Sequence, residues 1–285
     1  MTRVSIVTDS TAYLPDEFVR QYGITVLPLS IVWQDRIYRD GIDIQPEEFY
    51  TRLAESTTFP TTSQVTAPSF ASAFTHLLSD GADVLGIFLS SRLSGTYEAA
   101  LQTRKMMPDV QDKIALVDSR LTTGAMALPV LMAARAACAG EGLASCRKVA
   151  EEACDRSGVL FVVETLEFLR RGGRLGGAQA MLGTVLNIKP VLAMRDGLIE
   201  ALERVRTKRA ALERMLAIVA DRIGGQSQVS IATSHANAEA EAVRLLAAAS
   251  SNLQPIESFC RPLSPVIGAH VGPGTVALAY MTGAD

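Results

Sequence analysis

The sequence predicts an α/β protein made of two α/β domains, the N-terminal one on a mainly parallel open sheet and the C-terminal one on a mixed sheet. Three observations predict this. Short β-branched runs alternate with helical stretches through the first half. A hairpin signal, Arg195-Asp196-Gly197, breaks that alternation in the second half. The length of 285 residues allows one large domain or two ordinary ones, at roughly 100–200 residues each. The pattern changes near Ser157-Gly158, so the expected domains are residues 1–157 and 158–285.

Each element has a local reason. Arg3–Thr8 reads as a buried strand. Pro15–Gln21 reads as a short helix, with Pro in its first turn, Asp16 and Glu17 behind it, and Gly23 as the stop. Ile24–Ile31 is the second expected strand. Helices are expected over Pro46–Ala54 and Ser69–Leu78. A strand over Val84–Leu89 leads to a helix over Thr96–Met106, and a strand over Ile114–Val117 to a helix over Ala125–Ala139. Beyond the boundary, Val159–Val163 is a strand and Leu166–Arg171 a short helix. Val191–Met194 and Leu198–Val205 flank the hairpin turn. Lys208–Ile223 carries Leu212, Met215, Leu216, Val219 and Ile223 at the helical period. Gln228–Thr233, the helix Glu239–Ala249, Ile256–Cys260 and Thr275–Met281 complete the series.

Composition narrows the function. The hydrophobic fraction is 48% and the charged fraction 20%, enough apolar material for a core, which excludes global disorder. Lys+Arg number 27 and Asp+Glu 30, a net charge of −3. Nucleic-acid and polybasic membrane binding need a basic excess, so neither is expected. A single Trp, Trp33, disfavours a base-stacking platform. The most apolar segment, Ala125–Ala139, is too short for a membrane span and contains Pro129 and Arg135. Asp9 interrupts any N-terminal signal-like run. Four Cys are too few for a disulfide scaffold, and a cytoplasmic protein with reduced thiols is expected. Cys146 and Cys154, eight apart, fit one packed helix face rather than metal ligation. The three His lack H-E-x-x-H spacing, so no metal or cofactor is expected. P-loop and nucleophile-elbow motifs are absent.

Polar residues gather at strand ends. The first strand runs into Thr8-Asp9-Ser10-Thr11, the third into Ser90 to Thr96, the fourth into Asp118-Ser119-Arg120. Open α/β sheets bind ligands off the carboxyl ends of their strands. Ser94-Gly95-Thr96 also opens a helix, which suits either an anion or plain capping. Ser56–Ser69 holds eight Ser or Thr in fourteen positions, with Pro60 and Pro68 stiffening it; it reads as a linker or as a ligand-contacting loop. Arg170-Arg171-Gly172-Gly173-Arg174 could form an anion-binding loop. His270, before Gly272-Pro273-Gly274, sits beside a tight turn and reads as structural or functional alike.

Taken in order, these motifs resemble the DegV family. The matching segments are Val7–Thr11, Thr62-Ser63-Gln64, Ser90–Tyr97, Val117–Arg120, Glu164–Leu169, Arg171–Arg174, Leu186–Pro190, Val205-Arg206-Thr207 and His270–Gly274. The resemblance covers nearly the whole chain, from about residue 4 to residue 281. The resemblance implies a fatty-acid-binding protein that holds one long-chain acid, such as palmitate, in a tunnel between two α/β domains. It implies a role in lipid transport or fatty acid metabolism. It also implies a partner, a fatty acid kinase subunit that phosphorylates the bound carboxylate, so that this chain is not itself an enzyme. By motif, Thr62, Ser94 and His270 correspond to the carboxylate-binding residues. Arg171 and Arg174 correspond to a basic loop that meets a partner or a phosphate. His270 could share the carboxylate proton, so that binding tightens as pH falls. The competing expectation is a stand-alone enzyme acting on a small anionic or phosphorylated metabolite, with Asp9 or Asp118 as its base.

Overall fold

The computed structural model describes residues 2–181 and 188–283; Leu186 and Asn187 of the Leu186–Pro190 motif lie outside the described residues. The chain opens with strand β1 (Val4–Asp9) and helix α1 (Asp16–Tyr22). That helix starts behind Pro15 and stops at Gly23, whose φ of +60° a side chain would oppose. Strands β2 (Thr25–Leu27), β3 (Ser30–Trp33) and β4 (Arg36–Arg39) follow. The single strand expected over Ile24–Ile31 is therefore two. Pro28 has no N–H to donate, so the ladder ends there and the chain leaves one sheet for another.

Helix α2 (Pro46–Glu55) precedes β5 (Thr61–Ser63), a strand where the sequence suggested a loop. Helix α3 (Ala67–Ser79) is capped by Thr66 Oγ1, which accepts from Ser69 N. Strand β6 (Asp83–Phe88), helix α4 (Thr96–Lys105), strand β7 (Ile114–Asp118) and helices α5 (Thr123–Cys138) and α6 (Leu143–Asp155) complete the first half. Cys146 and Cys154 are buried in α6, as their spacing predicted.

The second half runs β8 (Ser157–Val162), α7 (Glu167–Arg171), β9 (Lys189–Arg195) and β10 (Leu198–Val205). Next come α8 (Lys208–Ile223), β11 (Ser230–His235), α9 (Glu239–Leu253) and β12 (Glu257–Pro262). Helix α10 (Pro265–Val271) and strand β13 (Val276–Met281) close the fold. The hairpin is as predicted: Arg195 pairs with Leu198, and Asp196 and Gly197 both have positive φ. His270 lies in the last turn of α10, a helix started by Pro265 and capped by Ser264, and the tight turn expected beside it follows at Pro273-Gly274.

Three sheets result. One is parallel, in the order β2-β1-β6-β7. One is mixed, in the order β10-β9-β8-β13-β11-β12, with only β11 and β12 parallel. The third is a small antiparallel sheet, β4-β3-β5. Alternation along β8 shows how the mixed sheet is used. Val159 and Phe161 face the main core, while Leu160 and Val162 face α8 on the outside.

Helix α5 joins the layers. It packs on β1 of the parallel sheet and on β8, β11 and β13 of the mixed one. Every residue from Thr123 to Ala134 is buried. A helix apolar all round must be covered all round, which explains the low polarity of this segment. The division expected at residues 157 and 158 falls at the start of β8, and the main core continues through it. Among the described residues no helix is long and apolar enough to cross a membrane.

The fit between α5 and the mixed sheet is tight. A Cβ on Gly124 would lie 2.7 Å from Ala232 Cβ on β11. Both atoms are fixed to backbone, so relief requires the helix to move. Gly124→Ala is expected to destabilise the protein by about 1–3 kcal/mol, despite the better helix propensity of Ala. Urea unfolding measures it, and an unchanged or raised midpoint would show that α5 can shift freely.

Candidate functional site

A cavity of about 230 Å³ lies off the carboxyl ends of the parallel strands. One water needs only about 10–15 Å³, so this is room for a ligand and not a packing defect. Both halves of the chain line it. Leu29, Leu89 and Leu93 come from the first half, Phe161, Met194 and Val266 from the second. The position follows from topology. Between β1 and β6 the strand order reverses, and such a point leaves a crevice.

The polar wall is assembled from four segments. Thr62 lies in β5 opposite Ile31, so its side chain points to the inner face of the small sheet. Its Oγ1 is 2.8 Å from His270 Nε2 on α10. Two sequence-predicted residues, 208 positions apart, are thus in direct contact. Ser94 also lines the cavity. Its Oγ accepts from Thr96 N at 3.3 Å and lies 3.0 Å from Thr96 Oγ1. Gly95, not Ser94, occupies the N-cap of α4, so Ser94 is not spent on conventional capping.

Two glycines seat this wall. A Cβ on Gly95 would collide with the Gln64 side chain, and one on Gly172 would collide with His270 Nδ1. The first contact brings the Thr62-Ser63-Gln64 segment against the Ser94-Gly95-Thr96 turn. The second presses the Arg171–Arg174 turn against the imidazole. Gln64 lines the cavity and was not singled out as a site residue from sequence. Its signal was its place one residue beyond Ser63 in a motif already noted.

The two arginines part company. Arg174 lines the cavity, and its guanidinium donates to Leu93 O at 3.0 Å and Gly172 O at 2.6 Å. Arg171 points outward, pairing with Glu167 at 2.5 Å, its guanidinium 3.9 Å from the Phe59 ring centre. The basic turn thus offers one half-buried structural cation and one exposed one.

His270 is neutral at pH 7. Burial, reinforced by the Arg174 charge, pushes it down from 6.5 to about 4. Its Nδ1 has no hydrogen-bond partner. A bare lone pair is cheaper to bury unpaired than an N–H, which assigns the proton to Nε2, donating to Thr62 Oγ1. The proton-sharing role expected for His270 needs a charged ring. Burial and the Arg174 charge oppose that form above about pH 4.

The two acids of the enzyme reading are engaged elsewhere. Asp9 accepts from Thr11 N at 2.9 Å, Thr11 Oγ1 at 2.6 Å and Leu89 N at 2.8 Å, tying the ends of β1 and β6 together. Burial raises it to about 6 against those bonds. Asp118 accepts from Ser91 N and Oγ and from Arg120 N. Neither lines the cavity. Among the described residues no cluster of His, Cys, Asp or Glu could hold a metal ion.

Comparison with known proteins now identifies the frame. A family model described as "Uncharacterised protein, DegV family" matches residues 3–283. A DegV domain-containing protein of Clostridium perfringens is 34% identical over 281 residues, covering 97% of this chain and 98% of the relative. A DegV family protein from Thermus thermophilus, whose structure is described as fatty acid binding, superposes with a TM-score of 0.91 at 33% identity. The match covers 98% of this chain and 99% of that one. DegV from Bacillus subtilis, described as a fatty acid binding protein, gives a TM-score of 0.89 at 30% identity over 99% and 100% of the two chains. The chain belongs to the DegV family.

The depressed His270 value sets a pH dependence of stability. The fold holds the ring neutral, so its contribution is complete above about pH 6.5 and is lost as pH falls toward 4. In urea unfolding, His270→Gln should lose less stability than wild type over that interval, by roughly 1–3 kcal/mol at pH 4. Parallel curves for the two proteins would place the ring in water.

Proposed function

We propose that this DegV family member binds a long-chain fatty acid such as palmitate and presents its carboxylate to a partner kinase. Its role would lie in lipid transport or fatty acid metabolism. The observation that carries the reading is the Thr62–His270 contact at the polar wall of a largely apolar cavity. A buried carboxylate is costly unless it is hydrogen-bonded, and Thr62 is prepared to bond it. With His270 Nε2–H donating into Thr62 Oγ1, the threonine proton is free to point at the ligand. Ser94 works the same way. Thr96 N donates into its Oγ, and with Thr96 Oγ1 as the donor in their 3.0 Å contact the serine proton is left for the second carboxylate oxygen.

The tail supplies the affinity. At roughly 0.8 kcal/mol per buried CH₂, a sixteen-carbon chain gains about 11 kcal/mol before ordering costs. Leu29, Leu93, Phe161, Met194 and Val266 are suitable walls for it. The donors aimed at the carboxylate, Thr62 and Ser94, are neutral hydroxyls, which stabilise it less than an arginine fork would and so preserve its nucleophilicity. The chain has no P-loop to bring a nucleotide phosphate, so phosphorylation would need a partner. Arg171, exposed beside Phe59, is the residue on the basic turn best placed to meet one. The stand-alone enzyme reading lacks a base, because Asp9 and Asp118 are committed to loop hydrogen bonds away from the cavity.

Native mass spectrometry of the protein purified without added lipid should show one adduct of fatty-acid mass. Thr62→Ala and Ser94→Ala should each weaken palmitate binding about 10–100-fold, the usual worth of a hydrogen bond to a charged group. A chain that neither carries nor takes up any fatty acid would overturn the reading.

The partner role has its own test. With a cognate kinase, Arg171→Glu should slow acyl phosphate formation while leaving palmitate affinity intact. Arg174 is unsuited to that test, since reversing it breaks the bonds to Leu93 and Gly172. Unchanged acyl phosphate formation by Arg171→Glu would remove Arg171 from the docking surface.

A further inference from the structure

Two hydroxyls in the cavity wall have no partner. Thr122 and Thr123 are 9% and 6% exposed, and both line the cavity. Neither Oγ1 makes a hydrogen bond. Most buried side-chain polar atoms in native interiors are paired, so two adjacent unpaired ones call for a reason. Helix capping does not supply it. Thr122 holds the N-cap position of α5, yet its side chain accepts nothing from the helix. The first N–H groups of α5 have no acceptor within the helix either. This corner of the cavity therefore offers two unpaired hydroxyls, each able to donate or accept, beside the helix-start N–H donors.

The pair is separate from the Thr62–His270–Ser94 wall. Among the described residues no hydrogen bond connects the two groups. Thr122 and Thr123 stand where α5 meets the inner face of the mixed sheet, since the next residue, Gly124, abuts Ala232 and Ala279. Other residues of that sheet face which line the cavity are Val159, Phe161, Met194 and Ala277. A plain hydrocarbon tail laid against this wall would leave both threonines unpaired. A chain that carries an oxygen would pair them: a hydroxyl can accept from one threonine and donate to the other, and an oxo group can accept from both.

We propose that Thr122 and Thr123 form a second polar subsite, which takes an oxygen carried on the acyl chain. The ligand class is then a long-chain acid bearing a hydroxyl or oxo group along its tail. This rests on the fatty-acid reading above and narrows it. A site built to bond a hydroxyl discriminates against the analogue lacking it, because its own polar groups are then left unpaired. An apolar wall would discriminate the other way.

The test is calorimetric binding of palmitate, stearate, 3-hydroxypalmitate, 12-hydroxystearate and 16-hydroxypalmitate to delipidated protein. It compares wild type with Thr122→Val, Thr123→Val and Thr122→Ser, each checked by thermal unfolding. In wild type, at least one hydroxy acid should bind about 3–10-fold tighter than the plain acid of equal length. That preference should vanish in each valine variant and persist in Thr122→Ser. A wild-type panel with no such preference overturns the proposal, whether or not the variants fold. So does a preference that survives both valine substitutions. If the valine variants weaken palmitate and stearate as much as the hydroxy acids, the threonines bond the carboxylate or a bound water, and the proposal fails. Failure of wild type to bind any of the five acids would instead bring down the fatty-acid reading itself.

Discussion

Burial of α5 between two sheets is the constraint on which the other features depend. A helix without a solvent face needs cover from both sides, and here one side is the parallel sheet and the other the mixed sheet. Small residues allow the approach. Gly124, Ala232 and Ala279 meet at the inner contact, where there is no room for another methyl. Pro129 sits inside this helix and gives up one backbone hydrogen bond. The packing on both faces outweighs that loss. Because the sheets are held at this distance at one end, the space beyond the helix start remains open, and the cavity occupies it.

The polar wall depends on the same frame. Its residues come from β5, the turn before α4, the turn after α7, and α10. None of these segments is long enough to hold a side chain in place alone. Contact does it: Gln64 against Gly95, His270 against Gly172, Arg174 to Leu93. Asp9 and Asp40 anchor the floor behind them. Asp9 ties β1 to β6, and Asp40 accepts from Ser10 Oγ at 2.7 Å while Ser10 receives Leu29 N. Burial raises Asp40 to about 7, with the nearby Asp9 charge adding to it. Its protonated form is therefore the one the fold favours, a contribution that is complete below about pH 4 and lost as pH rises through 7. His270 works in the opposite direction.

Much of this was legible in the sequence. Alternating β-branched runs and helices fixed the parallel sheet, and Asp196-Gly197 fixed the hairpin. What escaped was short. Strands β4 and β5 are four and three residues long and exist only because β3 lies between them. No periodicity can reveal elements of that length. The break at Pro28 was readable in principle, since a proline has no N–H to donate to a ladder. For the site, Thr62, Ser94 and His270 were named from motifs, and the fold brings Thr62 to His270. The separation of Arg171 from Arg174 was not readable, because three residues in a glycine turn do not fix which guanidinium faces inward. Nor were Thr122 and Thr123 readable as cavity residues. Their hydroxyls look like caps in sequence, and only the fold leaves them unpaired.

The choice of donors bears on what such a cavity can be for. An arginine fork would hold a carboxylate more strongly than hydroxyls do, and one arginine is within the wall. Yet Arg174 spends its Nε and one Nη on the Leu93 and Gly172 carbonyls, which orients the guanidinium along the backbone. Its remaining influence is electrostatic: together with burial it keeps His270 neutral. A neutral imidazole donating into Thr62 leaves the threonine proton for the ligand and adds no second positive charge to that of Arg174. On the proposed reading, the acid is then held by its tail and only steadied at its head. That division suits a ligand whose head must react and whose tail must not slip. A protein built for storage alone would gain from turning Arg174 onto the ligand, and the geometry of this wall points the guanidinium at the backbone instead.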